Sequence, residues 1–200
     1  MNTSLQDLQQ IFGSRMKAQE IFFLVNDQKA VVRQGFYEPE LQQVETFCQQ
    51  NCIFFVRSPF KVLLTGEGKF SDTSVRVTKT DPRTGMFFLY LSKKEQYAWR
   101  AAYAELRQDH RRLGKLLGYP DCCNTFFEQA FSEQQANLSF PATNPWTNTT
   151  KRAQDFCLLS HFPCSQECAA SKIIAQQNLA SLERTNPSWA QLVWEQLAPK

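Results

Sequence analysis

The sequence predicts an α+β fold, with a small, mainly antiparallel sheet in the first half and a helical C-terminal half that carries a Cys/His site. Short runs of β-branched and aromatic residues, separated by turn residues, occur between residues 53 and 91, whereas helical periodicity dominates after residue 93. The connections between the predicted strands are short, which favours antiparallel pairing. With 200 residues, we expect a single domain over 1–200, with a mixed helix and sheet part over 1–92 and a helical part over 93–200.

The first 50 residues predict two helices with an ambiguous segment between them. Leucine, phenylalanine and methionine recur at helical spacing over residues 4–16, which predicts an opening amphipathic helix. Residues 21–25 and 30–32 form either a short hairpin or a continuation of that helix. A second helix is predicted over residues 38–50.

Four strands are predicted next, over residues 53–56, 61–64, 75–78 and 86–91. The sequence from Asp81 to Gly85, which also contains Pro82, has the residues that turns require. We therefore expect a turn between the last two strands.

Residues 93–117 predict one long helix with a single apolar stripe that faces the core. His110 lies on this stripe, which predicts a half-buried, hydrogen-bonded histidine, and Gly118 suits the position after the helix end. The chain's only basic cluster falls in its last turns, where it complements the helix dipole. The stripe comprises Trp99, Tyr103, Leu106, His110, Leu113 and Leu117, and the basic cluster comprises Arg107, Arg111, Arg112 and Lys115.

The rest of the chain predicts three more helices and a long polar segment. The helices cover residues 122–131, 165–184 and 188–197, with a shorter helical piece at 153–159. The polar segment, residues 132–152, is long for a compact domain, so we expect it to be functional or mobile and a candidate lid.

Composition and charge narrow the class of protein. A formal net charge of +3, with basic residues spread along the chain, does not predict nucleic-acid binding. The polar N-terminus has no apolar signal region, and the apolar runs are too short to cross a bilayer. We therefore expect a cytoplasmic protein that binds a small molecule or another protein, with no membrane contact.

The cysteines are the main functional signal. There are seven, an odd number in a chain without an export signal, which argues against a disulfide framework. Cys48 and Cys52 lie one helical turn apart in an apolar segment and are expected to fill the core.

Five cysteines and a histidine fall between residues 122 and 168. Tyr119-Pro120-Asp121-Cys122-Cys123 and Phe162-Pro163-Cys164-Ser165 both place cysteine after an aromatic residue and a proline at a predicted helix start. A helix N-terminus stabilises thiolate, the form that binds metal or attacks electrophiles. On a helix, Cys168 would share a face with Cys164. His161 lies three residues before Cys164.

The predicted metal ligands are therefore Cys122, Cys123, His161, Cys164 and Cys168. They could hold one zinc ion in a closed tetrahedron, or four thiolates could hold an iron–sulfur cluster with Cys157 in place of His161. A metal-free redox pair is the third possibility. One ion seldom takes two adjacent cysteines. The alternative is therefore that one residue of the pair Cys122-Cys123 is a ligand and the other a packing or reactive thiol. Asp121 is first a helix N-terminal acid.

Two segments resemble a known family. They are residues 113–123, ending in Tyr119-Pro120-Asp121-Cys122-Cys123, and residues 159–168, which contain His161-Phe162-Pro163-Cys164 and Cys168. They resemble the prokaryotic family catalogued as domain of unknown function 483, over roughly residues 85–175. The resemblance implies that the cysteines and His161 belong to one shared site, and it implies no particular reaction.

Three functions remain open on the sequence alone. The first is a metalloprotein with a zinc or iron–sulfur site, either catalytic or structural. The second is a metal-free thiol redox or thiol-transfer enzyme with Cys164, Cys122 or Cys123 as its nucleophile. The third is a non-enzymatic interaction domain with a structural metal site.

Overall fold

The computed structural model describes residues 3–64, 74–132 and 136–198, and the strands of this part form one antiparallel sheet. The strands belong to the first half and the second half is helical, so the predicted α+β fold is confirmed. The elements are α1 (Leu5–Phe12), α2 (Arg15–Val25), β1 (Val32–Tyr37), α3 (Glu38–Gln50), β2 (Phe54–Arg57), β3 (Phe60–Leu64), β4 (Ser74–Thr78), β5 (Met86–Ser92), α4 (Glu95–Leu106), α5 (His110–Leu116), α6 (Asp121–Ala130), α7 (Ala169–Thr185) and α8 (Pro187–Leu197), with a 3₁₀ turn at Arg152–Gln154.

The chain divides into two compact units, residues 1–119 and residues 120–200. The predicted boundary between the mixed part and the helical part lies instead between residues 92 and 93, because the helices that follow β5 were assigned to the helical part. The expectation of one domain over 1–200 stays a prediction.

Strand β5 is the centre of the sheet in the first unit. Strand β1 pairs along one edge of β5, strands β2 and β3 share the other edge, and β4 pairs with β3. Between β2 and β3 the backbone N–H of Ser58 donates to the Phe88 carbonyl oxygen at 2.8 Å, and Ser58 Oγ accepts from the Phe88 N–H at 3.1 Å. These two bonds continue the ladder up to Pro59, which has no N–H to donate.

The four predicted strands agree with β2 to β5 to within about two residues, and β1 was missed. Its sequence contains Arg33, Gln34 and Gly35, which dilute the β-branched signal. Gly85 ends the predicted turn before β5. A Cβ there would lie 2.8 Å from Leu63 Cδ2 and 3.0 Å from the Val62 carbonyl oxygen, so a larger residue would require β3 to shift.

The opening segment forms two helices, where the sequence predicted one. The N–H of Asp7 donates to Ser4 Oγ at 3.1 Å at the start of α1, and Gly13 ends this helix with a φ of 76°. Ser14 then caps α2, which runs through residues 21–25. Residues 21–25 are therefore helical, as the second alternative had it, whereas residues 30–32 lead into β1 and not into a helix.

The predicted helix over residues 93–117 is wrong in two respects. It breaks into α4 and α5 because Gln108 adopts a φ of 58° and Asp109 caps α5 by accepting from the Arg112 N–H at 3.0 Å. Only the end of its predicted stripe faces the core, since Leu113 and Leu117 are buried but Trp99 is 58% exposed and Tyr103 57% exposed. Alanines bury the opposite face of α4 against Tyr90, namely Ala98, Ala101, Ala102 and Ala104.

The second unit is built on α7 and α8. The buried side chains of these helices include Leu179, Leu182 and Val193. Asn186 ends α7 and caps α8 by accepting from the Trp189 N–H at 3.1 Å. Across the described ranges, no helix combines the length and apolar character that a membrane span requires.

Candidate metal centre

Four cysteine sulfur atoms converge in the second unit. The Sγ atoms of Cys122, Cys123, Cys164 and Cys168 all lie within 4.8 Å of one another. Three of them form a nearly equilateral triangle, with 3.9 Å from Cys122 to Cys123, 3.8 Å from Cys122 to Cys168 and 3.7 Å from Cys123 to Cys168. These separations far exceed the ~2.05 Å of a disulfide bond, so the sulfurs are free thiols.

Helix starts position three of the four sulfurs. Cys122 and Cys123 lie in the first turn of α6, and Cys168 is the N-cap residue of α7. The positive ends of two helix dipoles therefore meet at the sulfur group and favour thiolate there. Both adjacent cysteines belong to the group, as the predicted ligand set has it.

Cys164 reaches the group from a turn. The predicted helix from residue 165 is wrong at its start, because α7 begins only at Ala169. The N–H of Cys168 donates to the Ser165 carbonyl oxygen at 3.2 Å, and this turn brings the chain back toward Cys164. The Cys164 N–H in turn donates to Cys123 Sγ at 3.4 Å.

The polar segment after α6 holds this turn in place. Asn144 Nδ2 and Thr147 Oγ1 both donate to the Gln166 carbonyl oxygen, at 3.0 and 2.7 Å. Gln166 Nε2 donates to the Pro141 carbonyl oxygen at 2.5 Å. The predicted lid over residues 132–152 includes residues 133–135, which lie outside the described ranges. The part from Pro141 to Thr147 braces the cysteine turn.

Ser171 connects the sulfur group to His161. Its hydroxyl lies 3.3 Å from Cys123 Sγ and 2.8 Å from His161 Nε2. A thiolate only accepts hydrogen bonds, so with Cys123 ionised the Ser171 hydroxyl donates to sulfur and accepts from the His161 Nε2–H. Ser171 is 0% exposed and His161 6% exposed, so water does not compete for either bond.

Arg152 fixes the chain around His161. Its Nη2 donates to the His161 carbonyl oxygen at 3.1 Å and to that of Leu159 at 3.3 Å. Its guanidinium also lies 4.6 Å from the centre of the Phe162 ring. The helical piece predicted over residues 153–159 is reduced to the 3₁₀ turn that positions this arginine.

Without a metal, the surroundings raise the pKa of two of the four thiols and lower that of a third. Burial raises the pKa of Cys123 well above its ordinary value. Burial, together with hydrogen bonds to Cys168 and Cys122, raises the pKa of Cys164 to about 11. Burial opposes ionisation of Cys168 too, but hydrogen bonds from the Ser171 side chain and backbone outweigh it and lower the pKa of Cys168 to about 7. A cation that replaced the thiol protons would remove the repulsion between four thiolates.

Three predicted site residues lie in the second unit outside this group. His161 adjoins it through Ser171 but is not among the four members. Cys157, its proposed replacement, is buried and lies 2.9 Å from the Leu159 carbonyl oxygen. Asp121 lies in the first turn of α6, as expected for a helix N-terminal acid.

In the first unit, Cys48 is buried and Cys52 is exposed. Core filling is therefore confirmed for Cys48 and wrong for Cys52, which occupies a turn with a φ of 54°. His110 is exposed at the start of α5, so its predicted half-buried position is wrong.

Sequence reasoning missed Ser171. It follows Cys168 by three residues on α7, a spacing that places both side chains on one helix face. A serine at that spacing from a predicted ligand is the signal that could have found it. No protein-family model matches this chain, and no curated protein or solved structure is similar enough to it to indicate common ancestry.

Proposed function

We propose that the chain is a zinc-binding protein, in which the thiolates of Cys122, Cys123, Cys164 and Cys168 hold one Zn²⁺ ion. The sulfur separations support this proposal above all. Four ligands at the ~2.3 Å zinc–sulfur distance form a tetrahedron with edges of about 3.8 Å. The three sulfur separations of 3.7, 3.8 and 3.9 Å agree with that edge.

An iron–sulfur cluster fits this spacing less well. Each thiolate of a four-iron cluster binds a different iron atom, so the ligand sulfurs surround a larger body and lie further apart than around a single ion. We also propose that the chain shares this site with the family catalogued as domain of unknown function 483, a resemblance that implies one site for the cysteines and His161. We also propose a cytoplasmic location, where thiols stay reduced.

In this proposal His161 supports the site and is not a ligand. With Nε2–H donated to Ser171, that nitrogen has no lone pair to offer a metal. Four thiolates complete the tetrahedron, so the metal has no open position for water or substrate. Zinc would then tie α6, the turn at residues 164–168 and α7 together.

The experiment is metal analysis followed by cobalt substitution. We expect one zinc ion per chain by elemental analysis of protein purified without added metal. Replacement by Co²⁺ should give the absorption of a tetrahedral tetrathiolate, because the sulfur-to-cobalt charge-transfer band grows with the number of thiolate ligands.

Single Cys→Ser variants supply the matched comparison. Replacement of any of the four grouped cysteines should weaken the charge-transfer band, whereas Cys157→Ser, a buried thiol of the same unit, should leave it unchanged. A brown protein with visible absorption after anaerobic purification would indicate an iron–sulfur cluster and contradict the zinc proposal. A protein that binds neither zinc nor cobalt would contradict the metal site. The same band loss in Cys157→Ser as in the other variants would contradict the ligand set.

A further inference from the structure

We propose that Cys122 is the nucleophile of this zinc site and that it accepts an alkyl group from a small, soft carbon electrophile. This inference rests on the proposed function, since it requires the sulfur to be bound to zinc. A tetrahedral ion with four thiolates offers no open coordination position, so chemistry at such a site takes place on sulfur. Zinc keeps a bound thiol ionised, and four thiolates around one Zn²⁺ retain a net negative charge.

Two of the four sulfurs are shielded. Cys123 is buried, and its Sγ lies 3.4 Å from the Cys164 N–H donor and 3.3 Å from the Ser171 hydroxyl. Cys168 is also buried. Hydrogen bonds draw electron density from a thiolate, and burial keeps an electrophile away from it.

Cys122 differs from them in both respects. It is exposed, whereas Cys164 is only partly exposed. Among the described residues, its sulfur has only the other sulfur atoms of the group as hydrogen-bonding neighbours. The most exposed cysteine of the group is therefore one whose sulfur receives no hydrogen bond from an N–H or O–H donor of the described residues.

The step is a direct displacement. A lone pair of Cys122 Sγ forms the new S–C bond, the bond from that carbon to its leaving group breaks, and the leaving group departs with the bonding pair. The thiolate becomes a thioether, and the site becomes less negative by one charge. The protein is neither oxidised nor reduced, so the reaction needs no further reactant.

The test uses the full-length, zinc-loaded chain and iodomethane as the probe. At about pH 6.5, peptide mapping by mass spectrometry should find the first methyl group on Cys122, ahead of Cys123, Cys164 and Cys168. An ordinary exposed thiol is only about 1% ionised at that pH. Zinc removes this limit but lowers the nucleophilicity of the bound sulfur, so we expect Cys122 to react roughly tenfold faster with zinc than without it.

Cys52 is the internal control, because it is an exposed thiol of the same chain outside the group. Its methylation rate should be the same with and without zinc. First methylation at another grouped cysteine, or a Cys122 rate that zinc does not increase, would overturn the inference. The zinc content of each sample separates the two proposals: a chain that cannot be loaded contradicts the zinc site, and a loaded chain with an unreactive Cys122 contradicts only its role as nucleophile.

Discussion

The Ser171→Ala substitution isolates one contact of the proposed zinc site. It removes the hydroxyl that lies 3.3 Å from Cys123 Sγ and 2.8 Å from His161 Nε2, and it leaves all four cysteines in place. Alanine is smaller than serine and has a higher helix propensity. The backbone of α7 should therefore be unaffected.

The two lost hydrogen bonds affect different measurements. A hydrogen bond to a charged group contributes about 1.5–3 kcal/mol, and the thiolate of Cys123 exists chiefly in the zinc-loaded form. Loss of that bond should weaken zinc binding about 10–100-fold, as for other groups that orient metal ligands. The hydrogen bond between Ser171 and His161 is present with and without zinc, so its loss should lower the stability of both forms by about 1–3 kcal/mol.

The assay is a competition titration of zinc between the chain and a chelating dye, with Ser181→Ala as the matched control. Ser181 is buried on α7, ten residues after Ser171, which places it about 15 Å further along the helix axis. The control should bind zinc like the unmodified chain. Equal zinc affinities of the two variants, within about a factor of two, would refute the role assigned to Ser171.

Three further predictions concern the fold and the remaining cysteines. Glu105 is 7% exposed and pairs with Arg33 and Arg76. Because both guanidinium groups are about one-third exposed, Glu105→Gln should lower the free energy of unfolding by about 2–3 kcal/mol in urea titrations; an unchanged midpoint would contradict this. Burial raises the pKa of Cys48 to about 12, so iodoacetamide at pH 8 should label Cys52 within minutes and Cys48 only on unfolding, and equal labelling of the native chain would argue against this packing. Three of the four tryptophans lie in the second unit, so zinc removal should lower the thermal midpoint seen by tryptophan fluorescence; free zinc at about 1,000 times Kd corresponds to about 4 kcal/mol, and an identical midpoint after chelation would show that zinc does not stabilise this unit.

The fold was predictable where local chemistry determines it. Strands β2 to β5 combine β-branched and aromatic residues with clear turn residues between them, and Glu38–Gln50 has an unambiguous apolar face. Helix α4 was misread because its large apolar residues are exposed while small alanines fill the core. The space beside Tyr90 and the buried Glu105 determines which face of α4 is buried. The periodicity of a single sequence carries no information about that space.

The cysteine site was predictable in its members more than in its geometry. Proline before Cys122 and cysteine at helix starts are local signals, and they identified all four grouped residues. His161 lies near these cysteines in the sequence, but its ring nitrogen Nε2 bonds to Ser171 on the following helix and not to the sulfur group. The turn before α7, and the Asn144 and Thr147 side chains that hold it, depend on contacts between distant residues, which a single sequence does not reveal.

The four sulfurs of the proposed site differ in burial, and this difference separates sulfurs that would hold the metal from one that would react. Cys123 and Cys168 are buried, and Cys123 is also hydrogen-bonded to Ser171, so these two sulfurs would hold the metal with the least freedom. Cys122 belongs to the same tetrahedron but lies at the surface, so a change at its sulfur requires no movement of the buried pair. In the proposed site, adjacent cysteines at one helix start would combine two roles: the second would anchor the ion inside the unit, and the first would present a zinc-bound thiolate to solvent. Two cysteines a full turn apart within one helix would instead share one face of that helix.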